Sequence, residues 1–304
     1  MNDVILQFDS GLITAQLERT KKLLVSNVSF CVKNGESLSL IGETGSGKTI
    51  IAQAIMGLLP GNVKQLGGSI LFQGKALPAS RGMKKLLGMD IVYIPQNGAE
   101  FLNPSRKIRN QLYDSLKKLN VPSATLEKTA IVKLALAGLE HPEALLDKYP
   151  FQLSGGMAQR VTIALAACSN AKLIIADEPT NGLDYESKVN FLNILNNLFP
   201  DAAKLVITHD IAVAELCDNT LVLCGGKMME KGPSKEILQT PRQPYTKALL
   251  ASLVKNGMCE TPVLRREIGF CPYYRRCPAA NERCNSGQTH HSDGNSEWWC
   301  NEDV

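Results

Sequence analysis

The chain has 304 residues, 44% of them hydrophobic and 20% charged, a balance that belongs to folded globular proteins and excludes disordered and fibrous classes. Its 33 basic and 29 acidic residues leave a formal charge of +4, spread along the chain, so no basic block marks a nucleic-acid or lipid footprint. No apolar run approaches the ~18 residues that cross a bilayer, and the opening MNDVILQFDS lacks the basic-then-apolar layout of a secretory signal; a cytoplasmic location is expected.

Residues 1–41 alternate apolar and polar positions in short runs such as VSFCV and ESLSLIG, with a turn at Lys33-Asn34-Gly35. They read as antiparallel strands leading into a core strand. A glycine-rich loop follows, then a helical pattern from Thr49 to Leu59 that Pro60-Gly61 ends. Gly67 to Gly74 reads as a strand and turn, and Asp90 to Pro95 as a buried strand. From about Asn97 to Leu153 the texture changes to long helical stretches, broken at Asn120 to Ser123 and at His141-Pro142, which predicts a helical subdomain inserted at about 97–155. Beyond it a helix (Gly156 to Ser169), an apolar strand (Leu173 to Ala176), a helix (Tyr185 to Leu198) and a second apolar strand (Lys204 to Thr208) alternate in the α/β manner. Strands so apolar imply a parallel sheet covered on both faces. Turns at Gly232-Pro233, Pro241 and Pro244 punctuate the run to about Lys255, and a polar, cysteine-rich tail closes the chain.

The glycine-rich loop is Gly42-Glu43-Thr44-Gly45-Ser46-Gly47-Lys48-Thr49, set between a predicted strand and a predicted helix, the context that a G-x-x-x-x-G-K-[ST] match requires. Glycines let the backbone fold round an anion, so successive N–H groups and the helix N-terminus point at phosphate oxygens. Lys48 is placed to hold the β- and γ-phosphates of a nucleotide and Thr49 a Mg²⁺ ion. Downstream, LIIADE ends a buried strand in Asp177 and Glu178. After a phosphate loop this pair reads as a Mg²⁺-organising carboxylate, Asp177, and a base for the attacking water, Glu178. Between them Leu153-Ser154-Gly155-Gly156-Met157 opens a helix with a serine and two glycines. Taken alone it is equally a helix N-cap with a close backbone approach or a second anion-binding surface. A chain with two such surfaces suggests that each nucleotide is clamped between two chains.

Over about residues 4–255 the motifs stand in one order: GETGSGKT, Gln96 in IVYIPQN, LSGGMAQR, LIIADEPT, NGLD ending at Asp184, and VITHD with His209. In this the chain resembles the nucleotide-binding subunits of ABC transporters. The resemblance implies a P-loop NTPase core with an antiparallel β subdomain and an inserted helical subdomain over 1–255, followed by a small cysteine-rich extension over 256–304. It further implies that two subunits sandwich two ATP molecules, each site completed by Ser154, Gly155 and Gly156 of the other chain. Gln96 would touch Mg²⁺ or the lytic water, His209 the γ-phosphate, and Asp184 would sit in a loop that crosses the dimer. The family usually stacks an aromatic residue on adenine, yet Gly11 to Ser29 holds no Phe, Tyr, Trp or His; Arg19 could stack by its guanidinium plane, or the base is held loosely. KYPFQLSGGMAQR and TPRQPYTKALLASL resemble the oligopeptide, dipeptide and nickel importer branch. There the partners are a second, different ATPase, two membrane permease subunits and an external binding protein, with the ATPase peripheral on the cytoplasmic face of the inner membrane.

Cys31, Cys168, Cys217 and Cys224 sit singly in apolar segments and are expected to be buried free thiols. Cys271, Cys277, Cys284 and Cys300, spaced C-x5-C-x6-C-x15-C, suit a tetrahedral soft-metal site, zinc or an iron–sulfur cluster. The CPxxxRCP pattern also closes peptide-importer ATPases, and this resemblance favours a [4Fe-4S] cluster; a cytoplasmic compartment disfavours disulfides. His290 and His291, in a polar segment, read as solvated side chains before they read as ligands, and Trp298 and Trp299 as the contact of the tail with the main domain. The function expected is ATP hydrolysis that powers an importer. The rivals are an ABC-type ATPase acting on nucleic acid or ribosomes, and a small-molecule kinase, which would leave LSGGM and His209 without a role.

Overall fold

A computed structural model describes residues 3–9, 11–18, 20–78, 80–253 and 270–301. Arg19 and Cys259 lie outside the described residues. The chain divides into two compact units, one formed by 1–32, 37–77 and 206–304, the other by 33–36 and 78–205.

The first unit opens on antiparallel pairs. Val4–Asp9 pairs with Ser69–Phe72, and Ile13–Leu17 lies between Thr20–Val25 and Val63–Gln65. Phe8 stacks on Phe30 at 5.2 Å between ring centroids. Because side chains alternate along a strand, Phe30 and Val32 point inward and Cys31 outward, so this thiol is exposed rather than buried. Cys168, Cys217 and Cys224 are buried as expected. The core strand Ser37–Ile41 runs parallel to Asn219–Cys224, which pairs antiparallel with Lys227–Pro233. Onto that strand the tail adds its own hairpin: Ser296–Trp299 pairs with Lys227–Pro233, and His290–Asp293 with Ser296–Trp299.

The segment carrying His290 and His291 is therefore a strand and not a loop. Gly294, at φ +61, supplies the tight reversal that lets Asp293 face Ser296. His290 contacts Glu297 at 2.9 Å, His291 contacts the Cys300 carbonyl oxygen at 2.9 Å, and Trp298 is buried opposite Glu230. The helix after the glycine-rich loop spans Lys48–Ile55, shorter than its apolar pattern predicts. Gly57 turns left-handed at φ +64 and ends it before Pro60.

In the second unit Leu173–Asp177 runs parallel to Ile91–Ile94, and every residue of Leu173–Asp177 is buried, as a parallel strand covered on both faces requires. The helical subdomain is built by Ile108–Lys118, Leu126–Leu136 and Gly155–Ala166. Ile108, Leu112 and Leu116 on the first, and Leu126, Ala130 and Leu134 on the second, recur every fourth residue and close one core with Ala158, Val161 and Ala164. Tyr185–Leu198 forms the helix with the bounds that its pattern predicts.

Candidate nucleotide site

The glycine-rich loop lies between Ser37–Ile41 and Lys48–Ile55 in the first unit. Gly42, Gly45 and Gly47 all have positive φ, at +146, +81 and +102. A Cβ at Gly42 would stand 2.1 Å from the Leu223 carbonyl oxygen, and one at Gly47 3.2 Å from that of Leu24, so both glycines permit close backbone approach. A Cβ at Gly45 would meet nothing within 4 Å; that side of the loop is open. Lys48 is buried and turned back on the loop: its ammonium donates to the carbonyl oxygens of Gly42 (2.7 Å) and Glu43 (3.1 Å). Thr44 and Thr49 are exposed, and Ser46 is buried. The helix has no side-chain cap at Gly47. His209, in the same unit, is exposed just after Thr208, while Asp210 caps the short helix Ile211–Ala214 through the Ala212 N–H at 2.9 Å.

In the second unit Asp177 ends its strand with a buried carboxylate that accepts a hydrogen bond from the Tyr93 hydroxyl at 3.2 Å. Burial, and then the Asp177 charge, push the Tyr93 phenol up to about 12, so it donates throughout the neutral range. Glu178 is half-buried at φ +47, in a region that side chains other than glycine rarely adopt. A cleft of about 710 Å³ collects Tyr93, Gln96 and Asp177 together with Gly155, Gly156 and Gln159. Two residues beyond Gln96, the Gly98 carbonyl oxygen accepts from the Thr162 hydroxyl at 3.0 Å, and a Cβ at Gly98 would stand 2.7 Å from the Gln159 Cα.

Ser154 caps Gly155–Ala166, accepting from the Met157 N–H at 3.3 Å. It is exposed with Gly155 and Gly156, and a Cβ on either glycine would meet nothing within 4 Å, so this surface is open in the single chain. Asp184 caps Tyr185–Leu198 through the Ser187 N–H at 2.8 Å, and that bond holds its carboxyl below the usual range. Neither Ser154 nor Asp184 lines the cleft around Asp177. Tyr93 is a residue that sequence reasoning missed, although it stands in the quoted IVYIPQN.

In the tail Cys271, Cys277, Cys284 and Cys300 are buried. The Cys271 N–H donates to the Cys284 carbonyl oxygen at 3.0 Å. Burial pushes the Cys271 thiol up to about 12, and charge on Cys284, Cys277 or Cys300 would push it the same way. Four thiols brought together would be a donor set for a soft metal. Among the described residues, however, no three His, Cys, Asp or Glu side chains stand as a metal-ligand group. Cys271, Cys277 and Cys284 pack in one cluster with Tyr245 and Tyr273.

The pattern of the ABC transporter family matches residues 25–181, and that of the oligopeptide/dipeptide transporter C-terminal region matches residues 229–284. The dipeptide transport ATP-binding protein DppD of Bacillus subtilis is 36% identical over 293 residues, spanning 90% of this chain and 87% of DppD. The metal-staphylopine import system ATP-binding protein CntD of Staphylococcus aureus is 37% identical over 246 residues, 78% of this chain and 89% of CntD. Among solved structures, the ATP-binding cassette MJ0796, a dimer in a post-hydrolysis state bound to ADP and phosphate, is similar with a TM-score of 0.67 at 25% identity, covering 76% of this chain and 99% of that one. A phosphate loop with its lysine in place, an acidic strand end and a separate glycine-rich helix start are the parts of one ATPase, and the chain belongs to the ABC transporter family as an ATP-hydrolysing subunit.

Proposed function

We propose that the chain powers an importer of peptides or of nickel and other metal chelates, as one of two ATPase subunits bound to a pair of membrane permeases. The observation that carries the reading is the loop Gly42–Thr49, open at Gly45, with Lys48 turned onto its own carbonyl groups. The names of the relatives DppD and CntD, and the match of residues 229–284 to the oligopeptide/dipeptide C-terminal region, support the cargo class. Those names are of transport proteins and give no support to the nucleic-acid reading. Among the described residues no helix is long and apolar enough to cross a membrane. A peripheral position on the cytoplasmic face of the inner membrane follows from the proposed partners, with an external binding protein supplying cargo.

In this reading the N–H groups of residues 42–49 bind the phosphates, with Lys48 at the β- and γ-phosphates. Thr49, Asp177 and Gln96 would hold Mg²⁺, which neutralises charge on the transferring phosphoryl group. Asp177 is oriented through the Tyr93 hydroxyl, Glu178 takes the proton of the attacking water, and His209 contacts the γ-phosphate. Ser154, Gly155 and Gly156 complete the site of the partner ATPase, their exposed surface being free to do so, and Asp184 stands where the two chains cross. Residues 1–255 form the motor, with 97–155 as its helical arm, and 256–304 the extension. Cys271, Cys277, Cys284 and Cys300 are the proposed ligands of a [4Fe-4S] cluster, with zinc as the other soft metal that four thiolates take; their common burial supports it.

Co-purification of the chain with a permease pair and a second ATPase, and ATP-dependent uptake of peptide or nickel by the reconstituted complex, test the transport reading. Recovery with RNA or DNA in place of permeases would overturn it. Iron and acid-labile sulfide in anaerobically purified protein test the cluster: about four of each per chain supports it, and stoichiometric zinc or no metal rejects it.

A further inference from the structure

One residue of the phosphate loop is gripped from the C-terminal extension. The Glu43 N–H donates to the Tyr245 hydroxyl at 3.1 Å, its carbonyl oxygen accepts from Lys48, and its two carboxylate oxygens accept a fork from Arg276, at 2.7 Å from Nη1 and 2.8 Å from Nη2. Tyr245 is fully buried and meets Tyr273 edge-on at 5.3 Å. Arg276 lies one turn beyond Tyr273, with its N–H on the Tyr273 carbonyl oxygen at 2.9 Å and its guanidinium 5.3 Å from that ring. The tail also packs close to a residue pair that touches the loop: a Cβ at Gly225 would fall 2.7 Å from Pro272, and the next residue, Gly226, donates its N–H to the Ser46 carbonyl oxygen at 3.0 Å.

A carboxylate at the second position of a loop that binds a polyanion is a liability. Unpaired, Glu43 would oppose each phosphate that enters, and a swinging side chain would leave the loop's N–H groups less well aimed. A guanidinium fork removes both problems, because it neutralises the charge and fixes the plane of the carboxylate. We propose that Arg276 is a positioning residue of the ATP site, clamping Glu43 so that the C-terminal extension sets the affinity of the phosphate loop for nucleotide. The inference rests on the nucleotide-binding role of residues 42–49.

The test is calorimetric titration of Mg-ATP into the purified full-length chain. Arg276→Ala is expected to weaken binding about three- to fivefold, the scale of a partly exposed ion pair. In the assembled complex it raises KM for ATP by the same factor and leaves kcat within about twofold. The decisive arm is the double variant Glu43→Gln/Arg276→Ala. Once the carboxylate is gone Arg276 has nothing to clamp, so the double variant binds as Glu43→Gln alone does. Arg276→Lys, which keeps the charge and loses the fork, falls between Arg276→Ala and wild type. Wild-type affinity in Arg276→Ala, or an equal loss with and without the Glu43 carboxylate, would overturn the proposal, the second result showing only a generally loosened tail. Should Arg276→Ala not fold, Arg276→Lys in the wild-type and Glu43→Gln backgrounds provides the same comparison. Lys48→Ala separates the two readings: if the wild-type chain binds no Mg-ATP, the nucleotide reading itself fails. If wild type binds, Lys48→Ala does not, and Arg276→Ala matches wild type, only the clamp fails.

Discussion

A methyl group added at Gly42 meets the Leu223 carbonyl oxygen at 2.1 Å, and no rotamer relieves it; one added at Gly45 meets nothing within 4 Å. Gly42→Ala is therefore expected to displace the loop and abolish ATP binding. Gly45→Ala keeps the loop open at the ~1–2 kcal/mol cost of left-handed backbone, read as a lowered urea midpoint with binding retained. Tyr93→Phe removes the donor that orients Asp177 and costs about 1 kcal/mol of stability, with a larger proportional loss of ATPase activity. Its pH signature has a definite sign. The folded phenol titrates near 12 against 10.0 for the free group, so its contribution is complete below pH 10 and fades as pH rises through 12. Urea unfolding across that alkaline window is expected to show a shallower slope in Tyr93→Phe than in wild type, the rest of the slope coming from buried thiols such as Cys168, Cys224 and Cys271. The sequence marks the types and order of these residues but not the grip of Arg276 on Glu43: these residues are 233 positions apart, and no spacing rule connects them.

At the scale of elements, the helices Ile108–Lys118 and Leu126–Leu136 were legible because Ile108, Leu112, Leu116 and Leu126, Ala130, Leu134 keep a strict helical spacing. Leu112→Ala empties a fully buried position and is expected to destabilise the protein by ~2–5 kcal/mol in chemical denaturation. Gly98 bears on function as well as packing. A Cβ there would press on the Gln159 backbone in the helix that begins with the LSGGM glycines, so Gly98→Ala is expected to cost ~1–3 kcal/mol. It also moves Gln96, so turnover falls further than the stability loss explains. The hairpin of His290–Asp293 and Ser296–Trp299 was not legible. Its strands are four residues each, two of them histidines, and one of its edges is supplied by Lys227–Pro233, far away in sequence. The short strand Val63–Gln65 and the helix Ser80–Leu86 escape for the same reason, being too brief to show a period.

For the whole molecule, motif order carries what no single motif can. The glycine-rich loop 42–49 and His209 belong to one compact unit, and Gln96, residues 154–156 and residues 177–178 to the other. Family membership rests on the order of the motifs together with the match over residues 25–181. The most direct test of the ATPase mechanism is steady-state ATP turnover of Glu178→Gln in the assembled transport complex, with nucleotide binding measured on the same preparation. Loss of the general base is expected to lower turnover at least about 100-fold while Mg-ATP still binds; wild-type turnover in that variant would contradict the assignment of Glu178.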